Sequence, residues 1–136
     1  MNKHVGLLPA AREAGFAVLT NMPFEQARLF KVVEGQELPR FARDAGMISW
    51  ADFILKWVVS NPDVTCVLPS TSDPRHAAEN VEALRGPLPD PDMRQRMVSH
   101  MQTIPGFNEI GTMPWYPGKN YQGIIRRSQD SIRERI

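Results

Sequence analysis

Apolar and polar positions follow two rhythms along this chain. One is helical. Trp50, Phe53, Ile54, Trp57 and Val58 recur at the i, i+3, i+4, i+7, i+8 spacing that lines one helix face with apolar side chains. Ser49 precedes the stripe as an N-cap, and Asp52 falls in the first turn, where the helix dipole favours an acid. Asn61-Pro62 closes the helix. The second rhythm is an unbroken apolar run. Phe16 to Thr20 and Val64 to Leu68 are such runs, the latter rich in β-branched residues, and both predict strands buried on two faces, as in a parallel sheet.

Capping and turn residues place the remaining elements. Leu7 to Ala14 reads as a short helix ended by Gly15, and Leu38 to Ala45 as another, with Pro39 near its start and Gly46 after it. Asp73 followed by Pro74 opens a helix running to about Leu84, and Asp90 followed by Pro91 opens one running to about Gln102. Gly86-Pro87-Leu88-Pro89 separates the two. Residues 25–37 show no clean period. From about Pro105 the character changes: Trp115-Tyr116-Pro117-Gly118 reads as an extended loop, and Asn120 to Ile136 as a terminal helix with a charged, solvated face. Strands alternating with helices imply parallel βα units and an α/β fold, with two strands and about five helices.

Composition narrows the function classes. With 136 residues, 42% hydrophobic and 23% charged, the chain is ordinary globular material. The net charge of +1 argues against a nucleic-acid partner or a membrane surface. No apolar run approaches the roughly 18 residues that span a bilayer. Twelve prolines imply many short elements. The single cysteine, Cys66, fits a reducing, cytoplasmic setting and reads as a small hydrophobe inside its strand. Without a second cysteine or a histidine pair, no metal site is expected. His4 and His100 read as surface residues, and Met93, Met97 and Met101 as a packing face.

The chemistry-bearing stretch is Leu68 to Asn80. Ligands in α/β folds sit beyond the carboxyl ends of parallel strands. Here a strand ends in Ser70-Thr71-Ser72 and runs into a helix N-terminus, whose free N–H groups and dipole attract anions. Arg75 and His76 occupy the first turn, where a cation is unfavourable unless an anion lies nearby; that placement supports a phosphate site. Capping alone is the competing reading, because Ser/Thr/Asp turns commonly start helices.

These residues resemble a known family. Pro69, Ser70-Thr71-Ser72, Pro74, His76 and Glu79-Asn80, following an apolar strand, are similar to the eighth strand and following helix of the aldo-keto reductases. Leu38-Pro39, Ser49-Trp50-Ala51, Leu55-Lys56-Trp57 and Asn61 to Pro69 resemble the seventh helix and eighth strand. Phe16 to Phe24 resembles the seventh strand and its cofactor loop, and Gly86 to Asp90 the close of the eighth helix. The resemblance covers about residues 5 to 103.

It implies the C-terminal portion of a (β/α)8 TIM barrel, an incomplete one, since eight parallel strands close such a barrel. On that basis residues 1–104 are the barrel part and residues 105–136 a tail. It implies NADP (NADPH) as cofactor. Ser70, Thr71 and Ser72 then contact the adenosine ribose and its 2′-phosphate. His76 stands where many members have an arginine facing that phosphate. Glu79 and Asn80 meet the adenine, and Pro23 and Phe24 lie in the loop against the pyrophosphate. Asn21 stands where many members stack a tyrosine on the nicotinamide. The family's catalytic aspartate, tyrosine, lysine and histidine have no counterparts: Tyr116, Tyr121, His100 and Lys119 do not align with them.

The expectation is therefore a truncated fragment of an NADPH-dependent carbonyl reductase, inactive alone, whose full-length relative takes a small carbonyl substrate. A non-catalytic nucleotide- or phosphate-binding module is the alternative. A third is a ligand-free remnant that self-associates through exposed strand edges.

Overall fold

The computed structural model describes residues 6–117; His4 and the expected terminal helix lie outside the described residues. The elements run α1 (Leu7–Glu13), β1 (Leu19–Asn21), α2 (Arg28–Val32), α3 (Arg40–Asp44), α4 (Trp50–Val59), β2 (Cys66–Leu68), α5 (Pro74–Glu82) and α6 (Pro91–Thr103), then a 3-10 turn at Ile110–Thr112. The strands pair in parallel, with Leu19 opposite Cys66 and Asn21 opposite Leu68. The fold is thus α/β with two parallel strands. Among the described residues it has six α-helices rather than about five. The extra one, α2, arises in the aperiodic stretch, where burial of Val32 and Val33 holds five residues helical.

The helix starts follow the capping chemistry. Ser49 Oγ accepts from Asp52 N at 3.1 Å, Asp73 Oδ1 from Arg75 N at 2.9 Å, and Asp90 Oδ1 from Met93 N at 2.7 Å. Each bond satisfies an N–H that has no partner within its helix.

The core gathers on α4. Phe53 and Ile54 pack with Val32, Val33, Met47, Met97 and Met101. The expected single apolar stripe is an incomplete description. Leu55 is buried off the stripe, while Trp57 on it is exposed, its ring covered on one face by the Arg94 guanidinium 4.6 Å from its centroid. The reason is that α4 is sandwiched: the α2–α6 cluster lies on one side, β2 and α5 on the other.

On the α5 side the burial includes charge. Asp52 is 2% and Lys56 3% exposed, and their charged atoms lie 3.5 Å apart. Lys56 Nζ donates to Ala83 O (3.1 Å) and Arg85 O (2.6 Å), carbonyls that the end of α5 leaves without helical donors. Asp52 Oδ2 accepts from Ile48 N at 3.1 Å. One ion pair therefore fastens the start of α4 and the end of α5 to each other.

The sheet departs most from expectation. Neither apolar run is buried on both faces. Phe16 is 72% and Leu19 60% exposed; Cys66 and Leu68 are exposed too, and only Thr20 and Val67 are half-buried. Two strands cover each other along one edge only. Their outward residues have no second layer, so Cys66 does not pack as a small hydrophobe. His100 corrects in the other direction. It is half-buried, stacked on Trp50 at 6.2 Å and 14° and edge-on to Phe41 at 6.0 Å.

Beyond α6 the chain turns back over the core. Ile104 is buried, and Phe107, Ile110 and Met113 pack against the core. Arg28 Nη1 donates to Ile110 O at 2.8 Å, and Tyr116 N donates to Gln26 O at 2.9 Å. Among the described residues, no helix is long and apolar enough to cross a membrane.

Candidate functional site

A cleft of about 730 Å³ opens at the carboxyl ends of both strands. That volume falls within the range of about 300–1,000 Å³ usual for small-molecule sites. One wall is the loop from β1 to α2, contributing Asn21, Met22, Pro23, Phe24, Gln26, Ala27 and Phe30. The opposite one is the end of β2 and the start of α5, contributing Leu68, Pro69, Ser70, Thr71, His76, Glu79 and Asn80. Ser49, Trp50 and Ala51 come from the start of α4, and Tyr116 from the returning C-terminal segment.

The first wall is shaped by backbone strain. Glu25, Gln26 and Ala27 have φ of 50°, 52° and 68°, and Met22 has φ of 52°. Non-glycine residues seldom adopt this left-handed region, at a cost of roughly 1–3 kcal/mol each. Phe24 and Phe30, with ring centroids 4.7 Å apart, give this side an aromatic lining.

The second wall is built from caps. Thr71 Oγ1 accepts from Asp73 N at 3.1 Å, which fixes the turn while leaving the hydroxyl proton free to donate. Asn80 Nδ2 donates to Pro69 O at 3.4 Å and links the second turn of α5 back to the end of β2. Asp73 lies below the ordinary aspartate value, mainly through the hydrogen bond from the Arg75 side chain and next through the Arg75 backbone N–H. The same contact, 2.9 Å from Arg75 Nη2 to Asp73 Oδ2, holds Arg75 above its ordinary value.

This geometry corrects one step of the sequence argument. Arg75 in the first turn was a reason to expect a phosphate. Its anion is Asp73, on an exposed surface, and Arg75 is not among the cleft residues. Capping by Asp73 also consumes the Arg75 N–H that a bound anion would use. The positive end of α5 is thus partly answered from within the chain, and His76 is the only cation-capable side chain in the lining among the described residues.

Of the residues singled out from the sequence, Pro23, Phe24, Ser70, Thr71, His76, Glu79 and Asn80 meet in this cleft; Ser72 is exposed outside its lining. Thr71 and Asn80 share the same wall. Sequence reasoning missed Gln26, Phe30, Trp50 and Tyr116. For Trp50 the helical stripe pointed only to packing. The proline-bracketed aromatic pair Trp115-Tyr116 was the one visible sign that the last segment brings a ring to the cleft.

Fold and site together define an α/β protein with its cleft at the strand ends, where βα units take ligands. The family follows from comparison with known proteins. The chain belongs to the aldo-keto reductases, a family of oxidoreductases: the family model described as "Aldo/keto reductase family" matches residues 9–98, more than half of the 136. No curated protein and no solved structure matches it.

Proposed function

We propose that this chain is the dinucleotide-binding C-terminal part of an aldo-keto reductase barrel, that its cleft holds NADP(H), and that it does not reduce carbonyls by itself. The observation carrying this reading is the convergence of the motif residues on one cleft at the carboxyl ends of both parallel strands. The lining suits the cofactor's chemistry. Ser70, Thr71 and His76 offer donors for the ribose and its 2′-phosphate, Glu79 and Asn80 offer polar edges for the adenine, and Pro23 and Phe24 cover the pyrophosphate side. When bound, the cofactor supplies hydride; the protein supplies position and electrostatics. In the complete enzyme that hydride goes to an aldehyde or ketone.

The lining supports the lack of turnover. Proton donation to a developing alkoxide in this family uses a tyrosine with a lysine beside it to ease its ionisation. Among the described residues, the cleft lining includes one tyrosine, Tyr116, and neither lysine nor aspartate. Titration of the purified chain with NADPH, followed by nicotinamide fluorescence, is expected to saturate, with no oxidation of NADPH when a simple aldehyde is added. His76→Ala and Asn80→Ala are each expected to weaken binding. No saturation with the wild-type chain defeats the reading, and turnover defeats its second half.

A second reading rests on the sheet. Leu19, Cys66 and Leu68 form an uncovered face beside strand edges able to pair with another chain. It proposes self-association without ligand. It predicts concentration-dependent size in sedimentation, relieved by Leu19→Lys, with no NADPH response.

A further inference from the structure

We propose that Met22 is an oxidation site of this protein, and that conversion of its thioether to the sulfoxide by a hydroperoxide weakens dinucleotide binding in the cleft. The weakening rests on the dinucleotide reading above. The choice of methionine rests on burial and contacts alone.

Exposure singles out Met22. The chain has seven methionines, of which Met1 lies outside the described residues. Met47, Met97 and Met101 are buried, and Met93 and Met113 are partly buried against the core. Met22 is 46% exposed and lines the cleft. A peroxide arriving from solvent therefore meets its sulfur before those of the five others. The backbone fixes where that sulfur sits. Met22 N donates to Asn21 Oδ1 at 2.9 Å, and Met22 O accepts from Glu25 N at 2.9 Å. Its φ of 52° is one that non-glycine residues seldom adopt, and such strain persists only where the surroundings enforce it. A donor already waits beside the sulfur: Gln26 Nε2 donates to Met22 Sδ at 2.7 Å. A thioether is a weak acceptor. The oxygen of a sulfoxide is a strong one, so oxidation turns a marginal contact into a firm one.

The step balances with hydrogen peroxide alone. The Met22 sulfur gives a lone pair to one peroxide oxygen, and an S–O bond forms as the O–O bond breaks. The proton of the transferred oxygen passes to the departing hydroxide, which leaves as water. Sulfur is oxidised by two electrons and the peroxide is reduced by two. A dithiol-dependent sulfoxide reductase reverses the change: the dithiol becomes a disulfide and the oxygen leaves as water. The ligand meets a different wall after oxidation. A flexible apolar side chain has become a polar one whose oxygen carries partial negative charge. Pro23 and Phe24, next along the chain, are the residues given above to the pyrophosphate side, so that charge stands beside an anion. The Gln26 amide, also in the lining, is committed to the new oxygen and withheld from the ligand. Both effects lower affinity, and both act on the pyrophosphate rather than on the adenosine half at α5.

The test uses the whole chain with the exposed Cys66 thiol first blocked by iodoacetamide. Limited hydrogen peroxide followed by peptide mass mapping is expected to convert Met22 ahead of Met93 and Met113, with Met47, Met97 and Met101 last. The oxidised protein is expected to bind NADPH about tenfold more weakly, the worth of one hydrogen bond to a charged group, and 2′,5′-ADP, which lacks the pyrophosphate, within about twofold of its untreated affinity. Met22→Leu, with no sulfur at this position, is expected to bind NADPH equally before and after peroxide. Conversion of Met93 or Met113 as fast as Met22 overturns the choice of site. Unchanged NADPH affinity once Met22 is converted, equal weakening of both probes, or a loss of affinity in peroxide-treated Met22→Leu overturns its effect on binding and leaves the dinucleotide reading intact. Untreated protein that binds no NADPH overturns both.

Discussion

The layer around α4 and the two-stranded sheet receive opposite treatment from the same chain. In the helical layer even charge is buried: Asp52 and Lys56 lie deep, balanced by each other and by the last carbonyls of α5. In the sheet, Leu19 and Leu68 stand in solvent. A parallel sheet ordinarily forms the most sheltered layer of an α/β protein. Here the helices make the core and the sheet lies at its margin. Burial follows the number of layers available to cover a residue, and hydrophobicity alone does not secure it.

Substitutions on the two sides should therefore differ widely. Lys56→Met leaves the Asp52 carboxylate buried and unbalanced and is expected to cost about 3–5 kcal/mol, read from the urea unfolding midpoint. Adding Asp52→Leu should recover part of that loss, because the isolated charge is then gone. A single-variant cost below about 1 kcal/mol would dissolve the contrast, since that is the worth of an exposed ion pair. Phe53→Ala, on the core face of α4, is expected to cost a comparable amount, about 3–5 kcal/mol.

Ser49→Ala removes a helix cap at the edge of the cleft and is expected to cost about 1 kcal/mol. Asp73 tests the other cap through pH. Its folded value lies below the ordinary one, so its contribution is fully present above the unfolded value near 4 and is lost as pH falls through the folded value. Comparing acid unfolding of the wild type and Asp73→Asn should show the two curves converging below about pH 4. At the bottom of the scale, Leu19→Thr on the sheet should change stability by no more than about 0.5 kcal/mol. A large loss there would mean that something covers the sheet in solution.

What could be read from the sequence was local. The caps at Ser49, Asp73 and Asp90 are side-chain bonds to N–H groups two or three residues away, and their neighbours specify them. The order of strands and helices was legible for the same reason, and so were the candidate residues that converge at the strand ends. The misses were matters of long range. Asp52 and Lys56 at i, i+4 look like a solvated pair; only the arrival of α5 overhead makes them interior. The runs at Phe16 and Val64 look sheltered because apolar runs usually are, and nothing local shows that only one neighbouring strand is present among the described residues. Arg75 was misread because its answer, Asp73, already had a role as a cap. Tyr116 reaches the cleft through Ile104, Ile110 and Arg28, contacts that no period in the sequence encodes.

The uncovered thiol on β2 gives this protein a built-in gauge. Cys66 is the sole cysteine of the chain and is solvent-accessible, so a maleimide dye attaches at one defined spot on the bare strands. The speed of that labelling measures shielding of the surface directly. It should slow when any companion, a duplicate molecule included, settles over β2, and it should hold steady when only the opening at the strand ends is filled.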